Sequence, residues 1–287
     1  MYMGGGAIYV VHTHTPHHFD TRMWISRHTG THTYNTVIME MGHGERIAVA
    51  SFITDSCAQL RSPQVPQTLA YQSLCRLHAL LRDIDEGECP RSTAVDSLYE
   101  HDMIALLASI YNRNATGADQ QVQQQQQQQQ QQQVRNLALR VIIACHTVLG
   151  MLITPYDMSS MLARWLAMHP EQRDDNGNAL LAHTLLLLHS PRRVQTTMVA
   201  FFEHVLHNYA QDTALHVAVV LFLSSMCVRN KLPVMAAFNL NDLHREVSSA
   251  KNNLRALPIY SYARASVLLH EYIIYALMVY GEEYGKI

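Results

Sequence analysis

The sequence predicts a mainly α protein: an irregular multi-helix bundle, or a short HEAT-like helical stack, with a small N-terminal β-rich segment. Three observations predict it. From Ser62 onward, apolar residues recur about every 3.6 positions, the period of a helix with one buried face. Prolines and Ser, Thr or Asp capping residues cut that pattern into helix-length pieces joined by short loops. The first 57 residues read differently, holding seven of the 18 histidines together with many Thr and Gly residues.

In chain order, Ala7–Val11, Arg22–Ile25, Thr33–Met41 and Arg46–Phe52 fit short strands, with Gly30 and the pair Gly42/Gly44 as turn points. Residues 1–61 therefore form a β-rich, His/Thr-rich segment, too small to stand without a helical partner. Residues 62–118 are the first helical part. Pro63 or Pro66 opens a helix carrying Ala70, Leu74, Leu77 and Leu81, and Asp83–Pro90 is an acidic loop. Thr93 with Asp96 resembles a capping box ahead of the stripe Val95, Tyr99, Met103, Leu106 and Ile110.

Residues 119–133 are a polyglutamine insertion or helix extension: 13 of the 14 residues from Gln120 to Gln133 are Gln. Glutamine is a fair helix former but offers no apolar stripe. The tract is thus either a loop or a solvated helix propagating backwards from Val134. Residues 134–287 are the C-terminal helical part, packed with 62–118. Leu137, Val141, Ile142, Cys145, Val148 and Leu149 make its first buried face. Thr154-Pro155-Tyr156-Asp157 is the clearest helix start, and Asp174–Asn178 is a turn before Ala179–His189. Ser190-Pro191 opens a helix with Met198, Phe201, Phe202 and Val205. Asp212–Arg229, apolar on most sides, belongs at the centre of the helical body. Asn239 and Asp242 start the next helix, and Pro258 precedes a final one over about Tyr260–Tyr280, ended by Gly281. About nine helices result, and the absence of a fixed-period repeat favours the irregular bundle.

Composition removes several function classes. The 21 Lys+Arg against 23 Asp+Glu give a net charge of −2, which argues against a broadly polybasic nucleic-acid binder. The longest nearly apolar window, Thr213–Val228, covers 16 positions, short of the roughly 20 a bilayer requires, so no membrane span is expected. The N-terminal Met1-Tyr2-Met3-Gly4-Gly5-Gly6 has no basic region followed by an apolar stretch, so no secretory signal is expected. Five widely spaced cysteines without CxxC pairs fit a reducing compartment, cytoplasm or nucleus.

Chemistry-bearing residues are few. His12-Thr13-His14 follows the apolar run Ile8–Val11, and imidazoles two apart on a strand share a face and can hold a zinc ion. That pair resembles the opening of metal-dependent amidohydrolases, a resemblance that implies a (β/α)8 barrel with further His and Asp ligands. The helical period after residue 62 is not the alternation of such a barrel, which leaves His12 and His14 as metal candidates only. His101-Asp102 falls inside the stripe from Val95 to Ile110, hence within a helix. This doublet resembles the centre of the all-helical HD-domain phosphohydrolases. The resemblance implies a divalent metal activating water against a phosphoester, with His78 upstream and Asp157 as the downstream candidate.

His204 and His207 share a helix face beside Glu203, and read better as margin residues of a packed seam. No GxSxG, GxxxxGK[ST] or GxGxxG segment occurs, and no cofactor is implied. Arg192, Arg193, Arg245, Lys251, Arg255 and Arg264 could line a basic ridge for nucleic acid. With no convergent catalytic set, the expectation is a structural, scaffold or adaptor protein, a subunit of a larger assembly acting through helical protein–protein interfaces or self-association. Its candidate contacts are Met158, Met161, Trp165 and Met168 on one helix margin, and Tyr272, Tyr275, Tyr280 and Tyr284 at the C-terminus.

Overall fold

A computed structural model describes residues 43–62, 64–89, 91–113, 121–188, 195–228 and 240–281. Eleven α-helices are found among them, and no strands, so the protein is mainly α. The strands expected at Ala7–Val11, Arg22–Ile25 and Thr33–Met41 lie outside the described residues.

The strand expected at Arg46–Phe52 is instead the first half of helix α1, His43–Arg61, and Gly44 sits in its first turn rather than in a hairpin. Val49, Ile53, Cys57 and Leu60 are its buried apolar residues, spaced by four, four and three. Most of that face lies beyond Phe52, so the β-branched residues Ile47 and Val49 look strand-like only when read in isolation.

Helix α2, Gln67–Asp85, follows Pro66 and buries Ala70, Leu74, Leu77 and Leu81 as its spacing predicts. It runs through the first half of the expected acidic loop, with Asp83 and Ile84 buried. The stripe from Val95 to Ile110 is not one helix. It divides into α3, Arg91–Glu100, and α4, Met103–Asn112, at Asp102, which adopts left-handed φ 46° and ψ 54°. Asp tolerates that region better than most residues. The break turns Tyr99 outward, while Met103, Leu106 and Ile110 remain buried. Helix α3 starts at Arg91, so Thr93 lies inside its first turn and does not serve as the N-cap.

Helix α5, Gln121–Leu149, joins most of the glutamine tract to the buried helix in one 29-residue rod, about 43 Å long at 1.5 Å per residue. The apolar residues from Val134 onward supply the tertiary contacts that isolated helices lack, and glutamine propagates the helix at little cost. Gln126, Gln128, Gln129 and Gln130 are exposed, whereas Gln131 turns inward and its Nε2 donates to the Arg113 carbonyl at 2.7 Å.

Side-chain caps fix the starts of α6 and α7. Thr154 Oγ1 accepts from the Asp157 amide at 3.1 Å and opens α6, Pro155–Ala167. Asp174 Oδ1 accepts from the Gly177 amide at 2.6 Å and opens α7, Asp175–Leu187, so the expected turn at Asp174–Asn178 is already helical. A Cβ on Gly177 would stand 2.5 Å from Asp174 Oδ1 and 2.8 Å from Asn136 Oδ1. Gly177→Ala should therefore lower stability by about 1–2 kcal/mol, although Gly→Ala in an open helix interior gains about 1 kcal/mol. Urea unfolding of the two proteins checks this.

Helices α8, Thr196–Asn208, α9, Ala214–Val228, α10, Leu240–Asn252, and α11, Tyr262–Tyr280, are the remaining helices among the described residues. The expected helix start at Ser190-Pro191 and the expected cap at Asn239 fall outside the described residues. Every residue of α9 from Leu215 to Cys227 is buried, and the helix packs against α7, α8, α10 and α11. Two successions of neighbours run through the molecule: α2, α5, α7, α9 and α11, each against the next, and α4, α6 and α8 beside them. Among the described residues, helix α11 is the last member of the first succession, with α9 and a few residues of α7 on its inner side. No helix among the described residues is long and apolar enough to cross a membrane.

Candidate functional site

The described residues contain no group of three or more His, Cys, Asp or Glu side chains that could hold a metal. The structure shows why His78, His101 and Asp102 do not assemble into one. His78, half-buried on α2, has Arg140 and Arg82 as charged neighbours; burial first, then these cations, hold its pKa below the ordinary value. His101 stands in the α3–α4 break. Its Nε2 lies 3.1 Å from Thr54 Oγ1, and its carbonyl accepts from Arg61 Nη2 at 2.7 Å. Both bonds tie it to α1, where it staples the break. Asp102 is exposed beside it.

Asp102 and Asp157 do share a cleft of about 220 Å3 with Tyr99, Ile104, Met151, Leu152 and Thr154. Asp157, however, is committed to its own helix start, its Oδ2 accepting from Thr154 Oγ1 at 2.5 Å. With no imidazole lining the cleft among the described residues, the arrangement does not supply the mixed ligand set of a hydrolytic metal centre. His12 and His14 lie outside the described residues.

The expected contact stripe on α6 is corrected. Met158, Met161, Trp165 and Met168 are all buried within the chain. Trp165 donates from Nε1 to Asn178 Oδ1 at 2.9 Å and packs edge-on against Phe201 at 5.0 Å. These residues therefore face the core and offer no surface to a partner. Tyr272 is buried as well and Tyr275 half-buried; the Tyr280 side chain and Tyr284 lie outside the described residues.

Of the basic ridge, Arg192 and Arg193 lie outside the described residues. Arg245 pairs with Asp242 at 3.1 Å, and Arg264 turns inward, its Nε donating to the Leu186 carbonyl at 2.9 Å. Lys251 and Arg255 remain exposed. Two separated cations are a thin basis for tracking a phosphate backbone.

The surface that stands out is the outer side of α11. Ala265, Leu268, Leu269, Tyr272 and Ala276 face inward and are buried. On the opposite side run Val267, Glu271, Ile274 and Met278, spaced by four, three and four, with Leu277 flanking them. All four apolar members are exposed, Met278 at 81%. Glu271 interrupts the strip with a half-buried carboxylate whose Oε2 is sheltered from water and has no hydrogen-bond partner among the described residues. The sequence made the final helix visible, but its apolar residues look alike whether they face the core or the outside.

Comparison of the chain with protein-family models, with curated proteins and with solved structures returns no match.

Proposed function

We propose that this protein is a non-enzymatic scaffold or adaptor subunit that docks a partner helix along the outer face of α11. The carrying observation is the exposed strip Val267, Ile274, Leu277 and Met278 on α11, opposite the face that packs on α9. That outer face is apolar over about three turns. The two-row order of neighbours supports the HEAT-like alternative over an irregular bundle, since each row adds helices by the same neighbour-to-neighbour step. All five cysteines are free, which goes with a reducing compartment such as cytoplasm or nucleus.

The paired exchange Ile274→Glu and Met278→Glu tests the reading. Tagged wild-type chain recovered from its native cells should retain a stoichiometric protein, either a second copy or another chain. The double variant should lose it at least tenfold while unfolding at the same urea concentration as wild type. Retention of the same protein by a folded double variant contradicts the proposal.

A further inference from the structure

Where the end of α4, the first buried turns of α5 and the α6–α7 connection meet, three arginines come together without an ion-pair partner among the described residues. Arg135 is 5% exposed. Its Nη2 donates to the Arg113 carbonyl at 3.2 Å, and its Nη1 has only the Met168 thioether at 3.2 Å, a weak acceptor. Its buried Nε–H has no partner. Arg173 lies over the Trp165 ring, 4.1 Å from its centroid, and its Nη2 donates to the Leu166 and Met168 carbonyls at 3.1 and 2.9 Å. Its Nη1 faces His204 Nε2 at 3.2 Å, and its Nε–H is likewise buried and unpartnered. Arg164 stands close enough to repel the Arg135 charge, and its own Nε–H is unpartnered too.

The carboxylate that lines this junction, Asp174, is already used. Its Oδ1 accepts from the Gly177 amide at 2.6 Å and its Oδ2 from Asn136 Nδ2 at 3.0 Å. Burial, followed by repulsion from Arg164, pushes Arg135 down to about 10. A buried guanidinium left in this state is costly unless an anion joins it. The geometry supplies a place for one. Arg135, Arg173, Gln132, Gln172 and Tyr111 line a partly open pocket of about 20 Å3, enough for a single oxygen-sized atom.

We propose that this pocket binds a phosphate-class oxyanion, one oxygen seated between Arg135 and Arg173 and the remainder of the anion at the mouth beside Gln132 and Gln172. Guanidinium groups with free N–H donors recognise tetrahedral oxyanions by charge-assisted bonds. Two guanidinium groups lining the pocket beside a single, already engaged carboxylate, with the Arg164 charge acting on Arg135, suit a dianion better than a carboxylate ligand. Gln132 belongs to the last turn of the glutamine tract, so an anion held here would also fix the tract where it enters the core.

Trp165 lines the pocket, and the chain has two tryptophans, so a Trp24→Phe background makes Trp165 the sole reporter. Titration of the full chain with inorganic phosphate, at ionic strength held constant with sodium chloride, should change Trp165 emission saturably. In the same background Arg135→Met should weaken the apparent affinity at least tenfold. Arg173→Lys, which keeps the charge but removes the Nε–H, should weaken it about fivefold and serves alone if the Arg135 variant fails to fold by circular dichroism. A phosphoserine peptide run in parallel identifies the source: tighter binding than free phosphate marks an esterified group, weaker binding marks the free ion. Absence of a saturable change beyond the chloride control, or equal affinity in the folded variants, overturns the proposal.

Discussion

Phe222→Ala should cost about 3–5 kcal/mol of folding stability, the range for deleting a buried aromatic ring that its neighbours cannot replace. Phe222 sits in the middle of α9, the helix buried on every side. Its ring lies 5.6 Å from that of Phe202, which in turn stands 6.1 Å from Phe201, and Phe201 meets Trp165 at 5.0 Å. These rings connect α9, α8 and α6, so the cavity would open where three helices hold one another in place. A domain of ordinary stability has about 5–15 kcal/mol in total, which makes this a large fraction of it. Val267→Ala, on the exposed side of α11, should change stability by less than about 0.5 kcal/mol. Urea midpoints for the two variants give the contrast directly; a Phe222→Ala loss below about 1 kcal/mol contradicts the central placement of α9.

Acidification from pH 7 to pH 4 should remove roughly 3 kcal/mol through His183 alone. The imidazole is buried on α7, its Nδ1 is 2.7 Å from the buried Ser261 Oγ, and Tyr260 stacks edge-on at 4.7 Å. Burial, with a smaller push from His146, lowers its pKa from 6.5 to about 4. Above pH 6.5 the residue is neutral in both folded and unfolded chains, and the fold keeps its full stability. As pH falls from 6.5 to 4 the unfolded chain takes up the proton and the folded chain does not, so stability declines across that window and not below it. His78, His204, His216 and His244 are shifted the same way, burial being the first cause in each, and add to the decline. An NMR titration should find the His183 ring neutral at pH 5. A midpoint near 6.5 would contradict the buried Ser261 contact.

The helices were legible wherever one face is apolar and a cap marks the start. Thr154-Pro155-Tyr156-Asp157 states both, and α6 begins there as read. Two elements were not legible for local reasons. The β-branched residues of α1 imitate a strand until the face is followed to Leu60, and the break at Asp102 uses neither glycine nor proline. Burial was harder to read than helicity, because an amphipathic stripe has the same period whether it meets the chain's own core or another chain. Met158, Met161 and Trp165 went inward, while Val267, Ile274 and Met278 stayed outside. Arg135 left one usable signal: it lies three residues before Ala138 and seven before Ile142, in phase with the buried face of α5. A cation in phase with a core stripe marks a buried charge in need of company.

The proposed adaptor role stands or falls with the outer face of α11. A photoreactive amino acid placed at Met278, in the full chain within its native cells, tests it most directly. Helix docking there predicts that irradiation yields one dominant crosslinked protein, mapped by mass to an apolar helix with a basic or N–H donor residue beside the site of Glu271. The same probe at exposed Asp55 on α1 should yield none. Equal, scattered labelling from both positions, or no adduct at 278, would contradict it.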